Sequence, residues 1–151
     1  MTEILPHSGI ITSNEHILPV RVYYEDTDAQ GVVYYANYMR YLERGRTDML
    51  RMMGLDQREM LAFEQPEDVQ FVVRRCELDY HLPAHLDDVL MIHTRIASVG
   101  GASLVMTQDV RRDEEILVGA VVKAAVIGQD GKPKRLPKEL KQRMNAVINT
   151  G

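Results

Sequence analysis

The sequence has no tryptophan, only two phenylalanines and a single cysteine, Cys76. One cysteine excludes an intrachain disulfide, and this fits a reducing cytoplasm. No apolar run approaches the roughly 20 residues of a membrane-spanning helix, so no membrane insertion is expected. The opening stretch MTEILPHSGIITSNEH has no basic segment leading into a sustained apolar one, so no secretory signal is expected. An excess of positive charge is also missing. The formal net charge is −4, which argues against a general nucleic-acid binder. No G-x-S-x-G, Walker loop or Rossmann fingerprint occurs, which removes support for a serine hydrolase of that kind and for two common nucleotide-binding folds.

What is present is an ordinary globular composition. The 151 residues are 45% hydrophobic and 26% charged, enough for a single domain over 1–151 with a real core. Residues 1–16 read as a polar, flexible lead-in. LPVRVYYE (18–25) alternates, with Leu18, Val20, Val22 and Tyr24 on one face, and predicts a strand. From about Ala36 to Met53 the period becomes helical, with Tyr38, Tyr41, Leu42, Gly45, Met49 and Met52 on one side. Gly54 is a natural stop for that helix. Gly45 in its middle costs about 1 kcal/mol against alanine and so implies a close approach by another element. Asp56 and Glu59 stand at capping-box spacing and predict a short second helix.

The remainder is mostly β. Strands are expected over 69–80 and 89–99, then in ASLVMTQDVRR and ILVGAVVKAAVI, arranged as a meander. The last of these is apolar at nearly every position. Such a strand is covered on both faces or lies at a subunit contact, and a second copy of the chain is the simplest cover. After Pro137, Leu140, Met144, Val147 and Ile148 give a final helix a short apolar face.

Between the first strand and the long helix lies EDTDAQGVVYYAN, with Asp26 and Asp28 two apart. Its first six residues from Asp26 mimic an EF-hand loop, but the match then fails. Gln30 stands at the fifth position, and Asn37 stands where a bidentate glutamate is required. His81, His85 and His93 do not have zinc-site spacing; surface or packed histidines are the simpler reading, and no metal or other cofactor is expected. Cys76 reads as a part-buried thiol rather than a nucleophile. The bland reading of the two aspartates is that they shape the turn and favour the helix N-terminus. The functional reading uses the same geometry. Orphan N–H groups at the helix start can polarise a carbonyl, and a carboxylate a few residues earlier can act on it as base or nucleophile.

YYEDTDAQGVVYYANYMRYLERGRTDML closely resembles the opening of the 4-hydroxybenzoyl-CoA thioesterase superfamily. Within that superfamily it is most similar to the Tol–Pal-associated acyl-CoA thioesterases of bacteria. The resemblance continues through FVVRRCELDYHLPAHLDDVL and ASLVMTQDV to RLPKEL, over roughly residues 18–140. It implies an α+β hotdog fold, a five-stranded antiparallel sheet wrapped around a long central helix. It also implies hydrolysis of an acyl- or aroyl-CoA to free acid and CoA, with the subunits paired as a homodimer or homotetramer. The second aspartate of D-x-D-x-x-G is the family's catalytic carboxylate, here Asp28, with Gly31 closing the turn beside the substrate. The N–H seven positions on, here that of Tyr35, polarises the thioester carbonyl. Many relatives carry histidine at that position; a backbone donor survives the change to tyrosine. Gln30 and Gly45 are larger and smaller, respectively, than is common there. Two other readings stand beside hydrolysis: a non-catalytic acyl-CoA sensor or adaptor, and a hotdog dehydratase. The dehydratase would need a histidine on the central helix, and residues 36–53 contain none. In GKPKRLP, Lys132, Lys134 and Arg135 are candidates to meet the CoA phosphates, set against the reading of an ordinary solvated loop. Asn37 is an attractive N-cap, which would leave Tyr35 outside the helix; the resemblance instead favours a helix start nearer Tyr34.

Overall fold

The structure is a computed structural model and describes residues 3–149. One antiparallel sheet holds six strands: β1 (Ile10–Thr12), β2 (Glu15–Arg21), β3 (Gln70–Tyr80), β4 (Val89–Val99), β5 (Ser103–Arg112) and β6 (Glu115–Ile127), in the order β1-β2-β4-β5-β6-β3. The five long strands are those expected from the sequence. The three-residue β1 is an addition. It pairs with β2 within the stretch expected to be a flexible lead-in, so ordered structure reaches back to Ile10. Pro19 is accommodated in β2 because β1 pairs with β2 only as far as Ile17, leaving no ladder bond for the missing N–H to break.

Two expectations are corrected. β2 ends at Arg21, and Tyr24 is 83% exposed in a 3-10 turn, Tyr24–Asp26, rather than continuing the buried face of Leu18 and Val22. The last four strands are also not a simple meander. β3 pairs with β6 at the sheet's edge, while β4 pairs with β2 and β5. The 81–88 crossover between β3 and β4 is held away from a hairpin by other partners. His81 donates its N–H to Leu117 O, and Val33 donates to Ala84 O at 2.8 Å. Arg112 pairs with Asp88 at 2.9 Å.

Helix α1 (Tyr38–Met52) lies on one face of the sheet, and Tyr41, Leu42 and Met49 are fully buried beneath it. Gly45 explains how closely it lies. A Cβ there would stand 2.8 Å from Ile92 Cγ2 and 2.9 Å from Thr94 Oγ1 of β4. The helix ends as Gly54 predicts. Gly54 adopts φ +86°, its N–H bonds Arg51 O, and the Leu55 N–H reaches back to Leu50 O. Helix α2 (Gln57–Ala62) starts on the Asp56 side chain, which accepts the Glu59 N–H at 3.1 Å. Helix α3 (Lys138–Asn149) follows Pro137 and buries Leu140 and Met144 beside Met49 and Leu50. The opposite face of β6 presents Gly119, Val121, Ala125 and Ile127 only half-buried, with Lys123 exposed between them. Among the described residues, no helix is long and apolar enough to cross a membrane.

Candidate active site

The site begins as a small hairpin built by turn chemistry. The Asp28 carboxylate accepts the Gln30 N–H at 2.8 Å, and the Asp28 carbonyl accepts the Gly31 N–H at 3.0 Å. Gly31 sits at φ +82° with open space around it, so it serves backbone conformation and not packing. The two arms pair through Asp28 N–H to Val32 O, a Thr27–Val33 bridge, and Tyr34 N–H to Asp26 O at 2.9 Å. The second arm leads directly into a 3-10 turn, Tyr35–Asn37, that continues into α1. The N–H groups of Tyr35 and Ala36 head this turn, where no preceding helical carbonyl can accept them. Asp28, Gly31 and Tyr35 therefore belong to one rigid unit of ten residues or fewer.

Each expected helix start matches part of the structure: α1 proper follows Asn37 at its N-cap position, and the 3-10 turn ahead of it begins at Tyr35. Asn37 caps no N–H with its side chain; its Nδ2 instead donates to Asp26 Oδ1 at 3.0 Å. The other Asp26 oxygen accepts the Tyr23 N–H at 2.8 Å, and Asp26 and Asn37 are both buried. The Tyr41 hydroxyl lies beside this pair without meeting hydrogen-bond geometry. Burial, and then the neighbouring Asp26 carboxylate, push its phenol well above the ordinary value. Asp26 is thus a structural carboxylate, whereas Asp28 is only half-buried.

Aromatic rings surround the turn. Tyr35 and Tyr34 lie 4.8 Å apart between ring centroids, and Tyr80 meets both Tyr35 and Tyr38 edge-on. The Tyr80 hydroxyl donates to Tyr35 O at 3.0 Å, tying the end of β3 to the start of the helix. Contact with Tyr35 raises the Tyr34 phenol pKa, with desolvation and last the charge of Asp28 adding to it. In the sequence Tyr80 reads only as a strand residue, and no local signal announces its bond to a residue 45 positions away.

Lys132, Lys134 and Arg135 do not join this unit within one chain. Their loop follows β6 at Ile127, which pairs with Gln70, while Tyr35 touches Tyr80 at the other end of β3. Ten residues of strand separate the two ends by about 33 Å. Lys134 is committed to the carbonyls of Pro66 and Asp68, whereas Lys132 and Arg135 are exposed. His81 and His85 lie exposed on the crossover and His93 lies beside Glu15. No group of three or more His, Cys, Asp or Glu among the described residues is placed to hold a metal. Burial pushes the Cys76 thiol up, away from the thiolate a nucleophile requires, although nearby Arg46 pulls the other way.

A long helix wrapped by one antiparallel sheet, with a short hairpin leading into its N-terminus, defines a protein of the hotdog class. Comparison with known proteins agrees. The Thioesterase superfamily profile matches residues 30–118. The acyl-CoA thioester hydrolase YbgC of Escherichia coli O6:H1 is 47% identical over 124 residues, covering 81% of this chain and 90% of the relative. The acyl-CoA thioesterase YbgC of Haemophilus influenzae is 43% identical, covering 85% and 93%. A crystal structure of a probable thioesterase from Bartonella henselae is 41% identical and superposes with a TM-score of 0.78, covering 82% of this chain and 99% of that one. The chain belongs to the thioesterase superfamily, in its YbgC acyl-CoA thioesterase family.

Proposed function

We propose that Asp28 and the Tyr35 N–H carry out the hydrolysis of an acyl-CoA thioester. The protein is an acyl-CoA thioester hydrolase that releases the free acid and CoA. The observation that supports this division of labour is the Thr27–Val33 bridge, which joins the Asp28 arm to the helix start in one short unit. The thioester carbonyl lies against the Tyr35 N–H, where the helix end favours developing negative charge. Asp28 takes a proton from an attacking water, or attacks the carbonyl itself to form an acyl-enzyme anhydride that water then opens. In either route the C–S bond breaks and CoA leaves as thiolate, to be protonated by solvent. Single-turnover hydrolysis in heavy-oxygen water tests the covalent route, because an anhydride opened at the Asp28 carbonyl carbon labels Asp28 and general-base attack never does.

The working unit is a homodimer in which β3 pairs antiparallel with its own copy, and pairs of dimers form a tetramer. β3 is an 11-residue edge strand, and Val72, Val73, Tyr80 and Met39 are exposed on and near it. A long, bare, partly apolar edge of this kind calls for a pairing partner. Full overlap of two such strands centres on Arg75 and sets Gln70 of one opposite Tyr80 of the other. That brings the partner subunit's Lys132 and Arg135, at the Gln70 end, towards the Asp28 site, where CoA phosphates would meet them. The enzyme acts on soluble acyl-CoA in the cytoplasm, without nucleic acid, metal or membrane insertion. Light scattering at micromolar concentration tests the assembly: a monomer would contradict it.

A further inference from the structure

Beyond the catalytic hairpin, a cleft of about 280 Å³ runs along the second half of α1. Leu50, Phe71, Val73, Leu104 and Met106 give it apolar walls, and Arg46 projects among them. Glu43 also borders the cleft, but it forms no ion pair with Arg46. Arg46 is half-buried and, among the described residues, its guanidinium makes one hydrogen bond, from Nη1 to Gln108 Oε1 at 3.0 Å. Gln108 is itself fully buried. Its Nε2 donates to Leu42 O and Thr94 Oγ1, which fixes its orientation and leaves only its carbonyl for Arg46.

An arginine offers five donors in a planar fork, and here one of them is committed to the protein. Among the described residues no carboxylate lies within ion-pair distance of Arg46. Burial pushes its pKa down, as expected for a cation drawn partly out of water. A guanidinium with spare donors among apolar walls is suited to a ligand that is mostly apolar and carries an oxygen acceptor.

Within one chain the Phe71–Val73 wall of this cleft lies towards the Gln70 end of β3 and the Asp28 hairpin towards the Tyr80 end, with Arg46 between them near Cys76. The dimer of the preceding section, on which this inference rests, removes that separation. Pairing centred on Arg75 carries the Tyr35–Tyr80 corner of one subunit to the Phe71–Val73 segment of the other. We propose that the acyl group of a thioester held at Asp28 and Tyr35 enters the partner's cleft, where the partner subunit's Arg46 binds an oxygen acceptor remote from the thioester. The preferred substrates are therefore acyl-CoAs bearing a distal hydroxyl, oxo or carboxylate oxygen, and not plain alkyl chains of equal length.

The test uses ω-hydroxyacyl-CoAs of six to twelve carbons, each compared with the alkanoyl-CoA one carbon longer. At one or more lengths the full-length enzyme should favour the hydroxyl member in kcat/KM by at least about tenfold. In Arg46→Met that ratio should collapse towards one, with Arg46→Lys intermediate. Circular dichroism and light scattering report whether fold and assembly persist. No preference at any length, or a preference that survives Arg46→Met, overturns the proposal. A mixed dimer of Asp28→Asn and Arg46→Met subunits then locates the contact. If Arg46 serves the partner's Asp28, one of the two sites is intact, and the mixed dimer should recover about half the wild-type rate on the hydroxyl substrate. A rate no higher than half that of Arg46→Met would place both groups in one subunit and overturn it. Failure of the catalytic reading looks different: Asp28→Asn alone would retain turnover. Failure of the assembly looks different again, since the wild type would be monomeric.

Discussion

Asp26 and Asp28 are the same residue type, two positions apart, in opposite environments. Asp26 is 8% exposed and bonded at both oxygens, to the Tyr23 N–H and the Asn37 side chain. Asp28 is half-buried, with one oxygen holding the Gln30 N–H and the other unbonded among the described residues. The first carboxylate is fully engaged by the fold and the second is not, and the difference comes from what each side chain can reach.

The largest expected effect comes from Asp28→Asn. It keeps the turn bond to Gln30 but removes the basic oxygen, so kcat should fall at least about a hundredfold with stability preserved, as steady-state kinetics and thermal melts would register. Near-normal turnover would erase the distinction between the two aspartates. Asp26→Asn should do the reverse. An amide turns one of two acceptors into a donor facing another donor, so denaturant unfolding should show a loss of about 1–3 kcal/mol, with kcat changed far less. Equal kinetic losses from both variants would point to a shared carboxylate or metal site. Gly31→Ala sharpens the contrast from the backbone. At φ +82° a side chain is strained, and the hairpin that aims Asp28 should loosen, with stability lowered by about 1 kcal/mol and kcat falling more than KM changes.

The smallest effect concerns His16, a buried ionisable group that, unlike Asp26, is incompletely paired. Its Nε2 lies 2.7 Å from Ser8 O while Nδ1 has no partner, and burial lowers its pKa below 6.5. The folded state thus resists a proton that the unfolded chain accepts. Its stability contribution is fully present above pH 6.5 and is lost as pH falls from there through the lower folded value. Unfolding midpoints at pH 7.5 and 5.5 should show this decline, and His16→Asn should flatten it.

Several features of this fold are legible along the chain. The span of α1, the left-handed Gly54 that ends it, the Asp56 cap of α2, the close contact at Gly45 and the turn at Gly31 all follow from side-chain period or from φ preferences that act over a few residues. The D-x-D-x-x-G motif marks its hairpin for the same reason: Asp28 bonds a backbone N–H two residues away. Other features required the tertiary structure. Whether β3 pairs with β4 or crosses to β6 depends on partners of the 81–88 segment that are far off in sequence. Asn37 has the chemistry of an N-cap but finds the buried Asp26 carboxylate instead, 11 residues back. Tyr80 reaches the Tyr35 carbonyl, and Arg46 reaches Gln108, 62 residues on. Lys134, whose charge suggested a phosphate, is held by the carbonyls ahead of β3. Turn and helix signals are local because backbone dihedrals and neighbouring N–H groups decide them. Strand order and the partners of long polar side chains are settled by which distant segments share the same volume, and residue type alone does not specify that.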